Sequence, residues 1–173
     1  MVQSVIDLIT LIAPAYGLDP LLVRAVVQKE SSGYTWAWNP EPQYRYYWDV
    51  RTHAPFRKLV EGESLSERPP KDFPALSGDP DQEWWAQSAS WGLMQVMGAV
   101  ARELGYKESY LTALCDPQIG LRYGCLHLRN MLRWAKDDPF KALMAYNGGK
   151  GSALARSNPG YAEAVLAIQK GLV

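Results

Sequence analysis

The chain has 173 residues, 47% hydrophobic and 21% charged, which suits one compact domain able to bury a real core. Its 18 basic and 18 acidic side chains cancel. No global field therefore draws it to nucleic acid or an anionic membrane, and a polymer ligand is read by contact instead.

Residues 1–12 lack a cationic start, carry Asp7 within the apolar stretch and offer no small-residue cleavage site, so they do not read as a secretory signal. No apolar run approaches the roughly 20 residues that span a bilayer, and stable membrane insertion is not expected. Val2, Ile6, Ile9, Ala13 and Tyr16 follow helical spacing, closed by Gly17. Asp19-Pro20 then starts a second helix: Asp caps free amides, and Pro at the first helical position loses no hydrogen bond. Leu22, Ala25 and Val26 give its apolar stripe, and the helix runs to about Glu30, with Gly33 suited to a left-handed turn beyond it.

From Tyr34 to Ala89 the order changes. Prolines and aromatic residues (Trp36, Trp38, Tyr44, Tyr46, Tyr47, Trp48, Trp84, Trp85) crowd a stretch with weak periodicity. A loop of that length points to function or to short local helices, for which Arg45–Val50 and Asp81–Gln87 are the candidates. Aromatic residues make up 12% of the chain; their broad faces and polar tips suit sugar stacking, although filling the core is the plainer use.

Leu93, Met97, Val100 and Leu104 form another stripe, stopping at Gly105. Asp116-Pro117 precedes a long pattern through Ile119, Tyr123, Leu126 and Asn130, and Asp138-Pro139 precedes Phe140 to Tyr146. A last helix is predicted from about Pro159 to Lys170, with Asn158 as a candidate cap. Sustained two-residue alternation is missing, so the expected fold is all-α, mainly helical, with little or no sheet. Cys115 and Cys125 are too few for a disulfide framework and lack metal-ligand spacing. Two buried thiols are the simpler reading, with a bridge left open.

Glu30 is the first candidate for chemistry. It ends a helix, where the dipole disfavours a carboxylate, and Val26 and Val27 are apolar neighbours; both effects raise its pKa, as a general acid needs. A lone Glu at a helix end is more often a solvated surface residue. Its context is more specific: Glu30-Ser31-Ser32-Gly33, Gly92-Leu93-Met94-Gln95-Val96, Asp116-Pro117 with Ile119 and Gly120, and Ala145-Tyr146-Asn147-Gly148-Gly149 occur in that order.

This series resembles the soluble lytic transglycosylase family, whose catalytic domain has a lysozyme-like α fold. In that family a Glu-Ser pair ends a helix, a Gly-Leu-Met-Gln segment opens the next core helix, and an Ala-Tyr-Asn-x-Gly segment closes the cleft. The resemblance covers Ile6 to about Gly33 and Ser90 to about Val165, and implies one domain with an insertion at about 34–89. It implies that Glu30 is the single acid/base and that Ser31 hydrogen-bonds and orients it. Met94 and Gln95 would line the sugar cleft, although Met94 suits the core equally. Tyr146 and Asn147 would face Glu30, and Tyr161 would lie near it.

The implied reaction is cleavage of the MurNAc-GlcNAc β-1,4 bond of bacterial peptidoglycan, giving 1,6-anhydro-MurNAc with no protein nucleophile. Gly92 lies 62 positions after Glu30, where the family commonly has a short loop. The added stretch brings Glu41, Asp49, Glu61, Glu63, Glu67, Asp72, Asp79, Asp81 and Glu83. One of these, with Asp49 the nominee, is the possible second carboxylate of a goose-type-like muramidase that hydrolyses the same bond. A non-catalytic peptidoglycan-binding protein is a further alternative.

Met97-Gly98 stands for a common Met-Pro step and Gly148-Gly149 for Ala-Gly. Neither His53 nor His127 has a nucleophile beside it, no cluster has metal spacing, and no cofactor is expected. Size and the missing signal resemble a phage or prophage endolysin, a monomer held in the host cytoplasm until release to the wall.

Overall fold

The computed structural model describes residues 1–60, 62–63 and 68–172; Glu61 and Glu67, two of the insertion carboxylates, lie outside them. Among the described residues are seven α-helices: α1 Gln3–Ile12, α2 Pro20–Ser31, α3 Pro80–Gln87, α4 Gly98–Glu103, α5 Pro117–Trp134, α6 Pro139–Ala155 and α7 Pro159–Lys170. Short 3-10 turns occupy Ala13–Tyr16 and Leu111–Cys115. The strands are β1 Trp38–Pro40, β2 Trp48–Asp49, β3 Ala54–Pro55, β4 Ala89–Trp91 and β5 Val96–Met97. The fold is mainly helical, as expected, with two small antiparallel sheets ordered β1-β4-β5 and β2-β3.

The Asp-Pro starts act as their chemistry dictates. Asp19 accepts from the Leu21 amide, Asp116 from those of Gln118 and Ile119, and Asp138 from that of Lys141. Asp79-Pro80 is a fourth such start, its carboxylate accepting from the Gln82 amide at 3.1 Å. At α7 the expected cap is absent: Asn158 makes no side-chain cap bond and donates instead to Asn147 Oδ1. Gly17 closes the first helical segment at φ 65°, and at the end of α2 both Ser32 (φ 54°) and Gly33 (φ 87°) turn left-handed.

The core gathers around α5, which packs against α1 and α6, while α7 packs on α2 and α6. The buried face of α5 is Gly120, Leu121, Gly124, Cys125, Leu128, Met131 and Leu132, rotated from the stripe read in the sequence. Two of those residues are glycines for a reason. A Cβ at Gly120 would strike the Leu114 carbonyl, and one at Gly124 would strike the Met94 side chain. Helix α1 likewise buries Val5 and Ile9 while Val2 stays exposed.

Three local expectations are corrected. The stripe from Leu93 to Leu104 is not one helix: a tight turn at Gly92–Gln95 and the strand β5 precede α4, with Gly92 at φ 71°. Arg45–Val50 is not helical; it leads into β2, which pairs with β3 in the register Trp48↔Pro55 and Asp49↔Ala54. The Gly-Leu-Met-Gln segment therefore forms a turn between strands rather than a helix start. Asp81–Gln87, by contrast, does lie within α3.

The insertion has its own small core. Tyr47 stacks on Trp84 at 3.9 Å between ring centroids, and Phe73 meets both edge-on. Gln87 of α3 holds the backbone of Trp48 twice, accepting from its amide at 2.8 Å and donating to its carbonyl at 3.0 Å. Beneath lies a fully buried ion pair: the Arg102 guanidinium donates to both oxygens of Glu83 at 2.8 and 2.7 Å and to the Tyr106 and Glu108 carbonyls. That pair fixes α3 of the insertion to α4 of the main core. Cys115 and Cys125 are free, buried thiols.

Candidate active site

A cleft of about 1400 Å³ lies where the end of α2, the middle of α5, the bend in α6 and the insertion meet; Glu30, Gln95, His127, Tyr146 and Asn147 line it. Helix α6 bends because Gly149, at φ 78° and ψ 165°, leaves helical geometry; glycine takes that conformation without a side-chain penalty. The bend puts Asn147 to Lys150 on the cleft wall.

Glu30 stands in the last turn of α2, largely buried. Burial pushes its carboxyl above the usual carboxylate range; the hydrogen bond from Tyr161 and then the charge of Lys29 pull it back in part. Packing of α7 on α2 brings in Tyr161, whose buried hydroxyl donates to Glu30 Oε1. Burial first, and then the Glu30 charge, hold the Tyr161 phenol far above its ordinary range, so it stays a donor. Tyr146 is buried as well, its phenol raised by the same two causes in the same order, and its hydroxyl donates to the Met94 carbonyl at 2.6 Å. Glu30 thus sits between the cleft and two protonated phenols, Tyr146 on the cleft wall and Tyr161 behind it.

Several roles read from the resemblance change. Ser31 does not orient Glu30 through a hydrogen bond. Its buried hydroxyl lies 2.8 Å from the Leu93 carbonyl and 3.2 Å from that of Val27, and accepts from the Gly33 amide. It pins the end of α2 to the Gly92–Gln95 turn. Met94 does not line the cleft: its side chain is fully buried against Gly124, and its carbonyl anchors Tyr146. Gln95 does line it, but its amide is engaged, donating to the Ala37 and Gly92 carbonyls at 3.0 Å each and accepting from Ser90 at 2.9 Å. Asn147 is exposed at the bend, tied to Asn158.

Asp49, the nominated second carboxylate, is elsewhere. It accepts from Arg51 through two nitrogens, at 3.1 and 2.8 Å, and from the Arg51 amide, and is not among the residues lining the cleft. The Arg51 hydrogen bond holds it below the usual carboxylate range, the reverse of what a proton-accepting catalyst needs. Other insertion carboxylates are also committed: Glu63 and Asp72 to Arg57, Asp79 to the α3 cap and Glu83 to Arg102. Glu41 does line the cleft, bonded to Asn39 at 2.6 Å, as does Glu103 of α4.

His127, which has no nucleophile beside it in the sequence, belongs to the same cleft. Its ring packs 4.8 Å from that of Tyr146 and lines the cleft. Burial lowers its pKa to about 4, against a backbone hydrogen bond to Tyr146 that raises it, so it is neutral near pH 7. Its place in the helical pattern carried no signal of this, because α6 supplies the other half of the contact. Lys150 is the one lysine or arginine among the described residues lining the cleft.

The model of the family described as "Transglycosylase SLT domain" matches residues 7–164. No match was found among curated proteins or among solved structures.

Proposed function

The chain belongs to the transglycosylase SLT domain family, whose members carry out lytic-transglycosylase-type cleavage of peptidoglycan, and we propose that here Glu30 acts alone as acid and then base to release a 1,6-anhydro-MurNAc end. The glycan strand of peptidoglycan is the substrate implied by the family, and no described helix is long and apolar enough to cross a membrane.

The observation carrying this reading is the setting of Glu30: a carboxyl raised by burial, bound through Oε1 to a phenol that stays protonated, at the wall of a cleft of about 1400 Å³. The Tyr161 bond occupies Oε1, and Oε2 holds the proton to be delivered. Glu30 passes that proton to the glycosidic oxygen leaving C1 of the muramic acid unit. The sugar's own N-acetyl oxygen stabilises the developing positive charge, so a protein nucleophile is unnecessary. Glu30, now ionised, takes the proton from the C6 hydroxyl as that oxygen closes onto C1. One C–O bond breaks, one forms, and the carboxyl ends protonated as it began. Tyr146, His127 and Asn147 shape the corner that receives the reacting sugar.

Hydrolysis is the second reading, and one observation favours it: Glu41 and Glu103 line the same cleft as Glu30, and a carboxylate there activates water if it sits across the sugar. Turbidity loss of a cell-wall suspension tests the shared premise. Glu30→Gln is expected to lower the rate by at least about 100-fold, the usual worth of a general acid; equal rates would end the role of Glu30.

A further inference from the structure

The insertion contributes a wall to the cleft, and two of its aromatic rings stand on that wall in water: Trp38 is 57% exposed and Tyr46 81%. Both are held in place from behind. Trp38 opposes Trp91 in the β1–β4 register, their rings 6.1 Å apart, and the Trp91 indole is fixed by its bond to the Ala86 carbonyl. The carbonyl of the preceding Ala37 accepts from both the Gly92 amide and the Gln95 side chain, so the backbone carrying Trp38 is fastened to the turn beside Glu30. Tyr46 ends a ladder of rings, edge-on to Tyr44, which is edge-on to Tyr47, which stacks on the buried Trp84.

Large apolar faces left in water along a concave surface mark a binding site. Rings fixed by packing before a ligand arrives lose little freedom when it binds. Asn39 and Gln43, which line the same cleft, are amides, a chemistry that pairs with hydroxyl and acetamido groups. Three carboxylates line the same cleft, Glu30, Glu41 and Glu103, against one lysine, so the occupant is not a polyanion such as a nucleic acid strand.

We infer that the insertion builds outer subsites in which Trp38 and Tyr46 stack against the flat C–H faces of a β-1,4-linked N-acetylated amino sugar strand. Trp38 and Tyr46 line the same cleft as Glu30, so these subsites hold sugars beyond the pair being cut and make productive binding depend on strand length. This rests on the reading that a glycan is the substrate, but not on which product forms.

The test is binding of oligomers of two, four and six sugars to Glu30→Gln protein, followed by intrinsic fluorescence, with chito-oligosaccharides in one arm and peptide-free peptidoglycan strands in the other. Affinity is expected to rise with length. Trp38→Ala and Tyr46→Ala should each lower six-sugar affinity by about tenfold, the worth of one stacked ring, and leave two-sugar affinity within about twofold. Trp36→Ala, exposed but off the cleft wall, should change neither. Length dependence in both arms assigns the wall to amino sugars in general; length dependence only with muramic acid present assigns it to peptidoglycan. Unchanged length dependence in the Tyr46→Ala protein, which loses only an edge contact, would overturn the inference even if the Trp38 variant failed to fold. A free reducing end on the product, by contrast, would overturn the single-carboxylate mechanism and leave the wall standing.

Discussion

Replacing Tyr161 with Phe removes one hydroxyl and keeps the ring that helps bury Glu30. The hydrogen bond from that hydroxyl is the larger of two influences pulling the Glu30 pKa down against burial. A hydrogen bond to a charged group is worth about 1.5–3 kcal/mol. Its loss leaves burial less opposed and moves the Glu30 pKa further up; at about 1.36 kcal/mol per pH unit, the hydrogen bond is strong enough to displace the activity profile by about one pH unit. The proton-donating form then persists to higher pH. The assay is kcat/KM on peptide-free glycan strands across pH, which reports the groups of the free enzyme. The basic limb of the profile is expected about one unit higher in Tyr161→Phe. A limb that stays in place, or moves down, would show that the phenol does not act on the charged form of Glu30.

Three further outcomes follow from the same geometry. Glu30 has a folded-state pKa above its unfolded value, so between the two the native state binds more protons and stability falls as pH rises; Glu30→Gln should raise Tm near pH 7, with the gain vanishing below about pH 4, where both states are protonated. Arg102→Met leaves the Glu83 carboxylate buried without its guanidinium, and unfolding in denaturant should show a loss of about 3–5 kcal/mol. Asp49→Asn, Glu41→Gln and Glu103→Gln should each retain turnover within about threefold if Glu30 needs no second carboxylate; a loss of about 100-fold or more in one of them would identify a catalytic base.

The local signals in the sequence were those that one residue and its neighbours decide. Each Asp-Pro pair caps its own helix, and the Glu30 to Gly33 stop needs only the residues within it. Where a contact partner lies far along the chain, the signal fades. Glu83 carried no sign of burial in the sequence, because Arg102, which pairs with it, is in another helix. Met94 read equally as cleft and core because the glycine that admits it, Gly124, is on α5. The α5 stripe was misplaced for a related reason: Gly120 and Gly124 weigh nothing in a hydrophobic period, yet they mark the side of closest approach. The Leu93–Leu104 stripe was broken by a turn whose left-handed Gly92 packs on the Leu114 carbonyl. Of the site, Glu30, Gln95, Tyr146 and Asn147 do meet at one cleft, with Tyr161 bonded to Glu30; Asp49 does not join them, and among the described insertion carboxylates it is Glu41 that does.

In the proposed reaction one carboxyl group suffices and water takes no part. Mass spectrometry of glycan digested to completion tests it most directly. Muramic acid ends are expected about 18 mass units lighter than the reducing sugar, through loss of water on closure of the 1,6-anhydro ring, with no oxygen taken up from labelled water. Reducing ends at full mass, carrying the label, would contradict the single-carboxylate reaction and give the second role to a carboxylate such as Glu41.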